Sequence, residues 1–100
     1  MAKKPLKTAE REWIAKVKSL PCALCYALGE RTPCAHAHHI REGQGLAQRA
    51  GHRLTIPLCY ECHEGKNGIH GNQNLLRIAK VSELDLLEIT LELLQARFMS

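Results

Sequence analysis

Residues 54–63 read LTIPLCYECH. Leu54 to Leu58 is a run of leucine and β-branched residues of strand length, and it leads straight into a CxxC pair, Cys59 and Cys62, with His63 next in line. Upstream, PCALC at 21–25 supplies a second pair, Cys22 and Cys25, with 33 residues between the inner cysteines. Two thiolates two residues apart in a tight turn face one ion, and four satisfy tetrahedral zinc at about 2.3 Å each. A closed set of four leaves no open coordination position, so the pattern implies a structural Zn²⁺ whose binding energy becomes folding energy. A redox dithiol fits less well, since there are two pairs and no βαβ context, and buried free cysteines are the remaining rival.

Outward from these pairs, Trp13, Ile14, Val17 and Leu20 recur at three- and four-residue spacing, which predicts an amphipathic helix from Thr8 to Ser19, with Thr8 as N-cap and Pro21 as a stop. Cys34 to Ile40 reads as a short strand and Arg41 to Gly51, with its glycines, as a long loop. A helix is expected from near Asn72 or Asn74 to about Lys80. Ser82 followed by Asp85 is a capping-box pattern ahead of a helix whose Leu84, Leu87, Leu91 and Leu94 form one apolar face, more often core than interface. The expectation is one α+β domain over residues 8–100, a zinc-stapled core with flanking N-terminal and C-terminal helices, preceded by a flexible basic tail at 1–7.

A chain of 100 residues has a thin core, which makes a metal staple valuable. No apolar run is long enough to span a bilayer, and MAKKPLKTAE has no apolar stretch behind its basic residues, so a cytoplasmic protein with no membrane partner is expected. Five cysteines, Cys34 being the odd one, agree with a reducing compartment. The net charge of +4 is uneven: Lys3, Lys4, Lys7, Arg11, Lys16 and Lys18 crowd the amino end, while Glu83, Asp85, Glu88 and Glu92 mark the carboxyl end. A polyanion suits the first half, although a basic helix face is more often only solvated.

All six histidines fall between or just beyond the cysteine pairs: His36, His38, His39, His52, His63 and His70. Any one of them alone reads as an ordinary surface or core residue, but the set is not scattered. His38 and His39 end a predicted strand, so their side chains diverge, and one can hold a metal while the other faces substrate. Phosphodiester hydrolysis suits such a cluster: a neutral imidazole accepts a proton from water near pH 7, and a divalent cation stabilises the phosphate and the leaving 3′-oxygen. Because the thiolate site is closed, the histidines require a second, open metal site.

The order CxxC, HHI, LCxxCH is similar to the HNH (ββα-metal) nuclease pattern, and HHIREGQGLAQRAGHRLTIPLCYECHEGKNGIHG, residues 38–71, resembles the phage recombination-enhancement, RecA-dependent nucleases over roughly residues 12–95. The resemblance implies a metal-dependent DNA endonuclease in which Cys22, Cys25, Cys59 and Cys62 hold structural zinc, His38 and His63 hold a catalytic Mg²⁺, Mn²⁺ or Zn²⁺, His39 is the general base, and His70 is a further ligand or phosphate contact. The pattern's central Asn is missing; Leu54 stands there, with His52 the nearest polar substitute, and the roles of His52 and His36 stay open. His38 replaces an Asp found in many members, which shifts the ligand set toward nitrogen and a softer ion. Arg41, Arg49, Arg53 and Lys66 flank the site and are candidate DNA contacts, each equally readable as a solvated loop residue. RecA filaments on DNA in a bacterial or phage-infected cell are the implied partner. A non-catalytic zinc-finger DNA-binding module and a protein-interaction module are the competing readings.

Overall fold

The computed structural model describes residues 7–41, 51 and 53–98. Five helices and two strands follow in the order α1 (Thr8–Lys18), α2 (Ala23–Ala27), β1 (His36–His39), β2 (Thr55–Leu58), α3 (Tyr60–Glu64), α4 (Asn74–Ala79) and α5 (Glu83–Phe98). The fold is small α+β. The predicted first helix is present, but Lys7 rather than Thr8 caps it: Glu10 Oε1 accepts the Lys7 backbone N–H at 3.1 Å. The loop expected over 41–51 lies almost wholly outside the described residues, as do Arg49 and His52.

β1 and β2 pair antiparallel, with His36 opposite Leu58, His38 opposite Ile56 and His39 opposite Thr55. Pro57 is tolerated because both strands of a two-stranded sheet are edges. Such a ribbon is marginal by itself, so it must bury a face against helices. Here α1, α2, α3 and α5 all pack on β2, whose four residues are buried. Leu24, Ile56, Leu58 and Leu86 form the main core together with the four CxxC cysteines, and Val17, Leu20 and Leu94 form a second cluster beneath α1.

α5 carries the anticipated capping box: Asp85 Oδ2 accepts the Ser82 N–H at 2.8 Å and Ser82 Oγ accepts the Asp85 N–H at 3.2 Å. The expected four-leucine core face is only half buried. Leu87 and Leu94 are inside, but Leu84 and Leu91 are 49% and 45% exposed. The buried arc runs instead through Glu83, Leu86, Leu87, Thr90 and Leu94.

Beyond α3 the chain folds back on itself through tight turns. Ile69 N–H donates to the Cys62 carbonyl at 2.8 Å and His70 N–H to the His63 carbonyl at 3.1 Å, which sets His70 beside His63. Gly68 is required by close approach, since a Cβ there would lie 2.6 Å from the carbonyl oxygens of both Glu61 and Cys62. Gly68→Ala should therefore cost about 1–3 kcal/mol, as overpacking does, measured by chemical denaturation; wild-type stability would show that the turn yields freely.

Candidate metal centre

The two CxxC pairs meet. Cys22 and Cys25 stand at the head of α2, Cys59 caps α3 and Cys62 lies within it. The four sulfurs lie within 4.8 Å of one another, all on buried residues. Cys25 Sγ is 3.8 Å from Cys59 Sγ and 3.7 Å from Cys62 Sγ, and a tetrahedron with 2.3 Å metal–sulfur bonds has edges of about 3.8 Å. The Cys25 N–H points at Cys22 Sγ at 3.4 Å, a contact that favours thiolate. The Cys22 thiol is drawn down to about 5, chiefly by its hydrogen bond with Cys62, whose own pKa is pushed far up by that bond and by burial. Burial raises Cys25 to about 11. A divalent ion favours loss of the thiol protons, since the thiolate is the ligand form. The donor set, spacing and charge fit an ion such as zinc. The fifth cysteine, Cys34, stands apart and donates to the His36 carbonyl at 3.2 Å.

A second group forms from histidines. Alternation along β1 puts His36 and His38 on one face, and α3 brings His63 to it: His63 Nδ1 is 3.0 Å from His36 Nδ1, and His63 Nε2 is 3.0 Å from His70 Nε2. His38, His63 and His70 each offer a nitrogen within 4.8 Å of the others, a spacing that admits a single metal ion. The 3.0 Å separation is close to the edge of about 3.4 Å expected for two nitrogens on zinc. Burial, followed by the neighbouring His38 and His70, holds the His63 pKa down at about 4, so its ring is neutral at physiological pH.

These rings open into a cleft of about 190 Å³ lined by Ala37, His38, His39, Arg41, His63 and His70. The expected divergence of His38 and His39 is seen in their exposure, His38 being buried and His39 half-buried, yet both border this one cleft. Of the anticipated DNA contacts, Arg41 reaches the cleft. The Arg53 guanidinium instead lies 5.7 Å from the Trp13 ring centroid, over α1, and Lys66 is exposed on the turn after α3.

Sequence reasoning missed Glu83. Its carboxylate is buried at the start of α5, with Oε1 2.8 Å from His38 Nε2 and Oε2 accepting the Arg41 N–H at 2.6 Å. One side chain thereby fixes the His38 ring and the chain leaving β1. His36 is placed against His63, a contact that the strand alternation alone hinted at.

Two outcomes are expected. Protein prepared without chelator should carry one tightly held ion in the thiol cluster, and Cys25→Ala should lose both the ion and much of the helical circular dichroism; a native spectrum without metal would refute the staple. For His63, an unfolded histidine titrates near 6.5 and the folded one near 4. Between these values the unfolded chain holds the extra proton, so stability is complete above about 6.5 and declines as the pH falls toward 4. Thermal unfolding across that window should show the decline, with part of it absent in His63→Asn; superimposable profiles would contradict the assignment.

A family described as recombination enhancement, RecA-dependent nuclease matches residues 7–83, more than three quarters of the chain. No curated protein matches the chain.

Proposed function

The chain belongs to the recombination-enhancement, RecA-dependent nuclease family, and from that premise we propose that it is an HNH-type, metal-dependent endonuclease that hydrolyses DNA phosphodiester bonds. The observation that carries the reading is the convergence of His38, His63 and His70 at a cleft bordered by His39. The succession β1, β2, α3, with one candidate ligand near the end of the first strand and another beside Cys62 in the helix that the second CxxC opens, supports the ββα-metal assignment.

In this reading Cys22, Cys25, Cys59 and Cys62 hold a structural zinc, which has no open position and takes no part in the chemistry. His38, His63 and His70 hold the catalytic Mg²⁺, Mn²⁺ or Zn²⁺. Glu83 accepts the Nε2 proton of His38, leaving the Nδ1 lone pair for the ion, as carboxylates commonly do behind metal-binding histidines. The low pKa of His63 keeps it a neutral donor. When bound, the ion polarises the phosphoryl group and neutralises charge on the leaving oxygen. His39 takes a proton from water; the water oxygen bonds to phosphorus, the P–O3′ bond breaks, and the 3′-oxygen takes up a proton from solvent. Leu54, at the position of the pattern's Asn, is exposed and provides no hydrogen bond to orient the base. In this reading RecA-coated DNA supplies the targeting, and the RecA dependence named in the family's description supports it.

The test is cutting of supercoiled plasmid and single-stranded circles, with and without Mg²⁺ or Mn²⁺ and recombinase filaments. Metal-dependent cleavage should fall by about 10²–10⁴-fold in His39→Ala with zinc content unchanged. DNA bound but never cut, equally by wild type and variant, would favour the zinc-finger module instead.

A further inference from the structure

A cavity of about 650 Å³, separate from the histidine cleft, forms a groove between α4 and the start of α5. Arg41, Arg77 and Lys80 line it, and Leu76 and Val81 give it an apolar floor. Arg41 also borders the histidine cleft, so the groove and the cleft adjoin at this residue.

The lining of the groove carries three cations, Arg41, Arg77 and Lys80, against two carboxylates, Glu83 and Asp85, a formal excess of one positive charge. Its two carboxylates are occupied, Glu83 by His38 and the Arg41 N–H and Asp85 by the Ser82 N–H. Arg77 donates to the neutral Asn74 carbonyl at 3.0 Å, and among the described residues none of the three cations is ion-paired with a carboxylate. All three are exposed. Lys80 stands at the C-cap of α4 in the left-handed region (φ 58°, ψ 44°), a place where helices usually put glycine. A long cation occupies a position where glycine relieves strain.

We propose that this groove is a backbone track for the DNA substrate: the strand leaving the cleft passes Arg41 and sets successive phosphates against Arg77 and Lys80. It rests on the nuclease reading and deepens it, by assigning which face of the protein the substrate crosses. The recognition is of phosphate charge and is indifferent to base sequence, since the other polar side chains of the lining are engaged internally, Gln73 donating to the Ile69 carbonyl and Ser82 accepting the Asp85 N–H.

The test is fluorescence anisotropy of labelled single-stranded and duplex oligonucleotides, in two unrelated sequences, over a range of NaCl concentrations. Zinc-loaded protein is used without added Mg²⁺, and plasmid cleavage is assayed in parallel. Arg77→Ala/Lys80→Gly should make the log–log salt slope shallower by about 1.4–1.8, at roughly 0.7–0.9 for each phosphate no longer neutralised, equally for both sequences. Lys80→Gly relaxes the backbone while removing the cation, so weakened binding with unchanged or raised thermal stability is not a folding defect. Lys18→Ala/Arg31→Ala, which removes the same charge beside a different cavity, should leave the slope near wild type. An unchanged slope in the groove variant while wild type still cuts would overturn the track and leave the nuclease reading standing. Equal reductions in both double variants would reduce it to net charge. Normal binding to naked DNA with no response to recombinase filaments would reassign the groove to a protein partner. Wild type that neither binds nor cuts would remove the nuclease reading and the track together.

Discussion

Four thiols brought together from two distant CxxC pairs are the constraint on which the rest of the structure depends. Strands of four residues each do not hold themselves together in water. Cys59 follows the last residue of β2, while Cys22 opens α2, so closing the cluster pins the end of the ribbon to the first half of the chain. The thiols are also part of the main apolar core, beside Leu24, Ile56 and Leu58. Core and ligand set are therefore one unit: expelling the protons and filling the cluster finish the packing that hydrophobic burial begins. The direction of α3 follows, and with it the placement of His63 one residue past Cys62.

The histidine group is governed by the opposite electrostatics. Imidazoles packed with ring centroids 4.6–5.1 Å apart leave little room for positive charge. His63, touched on both nitrogens by other rings, has its pKa lowered to about 4, chiefly by burial and then by the neighbouring His38 and His70. The spacing of His38, His63 and His70 is one that could hold a cation. Glu83 is the counterweight. It comes from α5, reaches His38 on β1 and the backbone at Arg41, and so makes the carboxyl-terminal helix part of the centre.

Much of this was legible in the residues. The CxxC pairs, both strands and the Ser82–Asp85 cap follow from spacing and local chemistry, which sequence displays directly, whereas the grouping of His38, His63 and His70 was what the family resemblance implied. Glu83 was not legible, because it lies 45 positions from His38 and looks like any acidic residue in the first turn of a helix. The leucine face of α5 misled for a related reason. Periodicity shows that an apolar stripe exists, but neighbouring elements decide which arc is covered. Here the covered arc is turned toward Glu83 and Thr90, and Thr90 is accommodated by donating to the Leu86 carbonyl at 2.8 Å. Arg53 similarly looked like a site residue by proximity in sequence, yet the ribbon turns it over Trp13.

The adjacency of Cys62 and His63 has a mechanical consequence for any nuclease built this way. The thiolate site is soft and closed, while the imidazole site is borderline in softness and, with three ring donors, leaves positions open for water and phosphate. The two sites therefore select ions by different rules although consecutive residues serve them. A shift of the thiol cluster is passed through one peptide unit to His63, and from His63 through the 3.1 Å backbone bond to His70. His38 is reached by a second route, through the pairing of β1 with β2, which leads into Cys59, and is held besides by Glu83. On the proposed reading, loss of an ion from the thiol cluster would loosen both routes, so that the stability of the fold and the assembly of the histidine group would fall together.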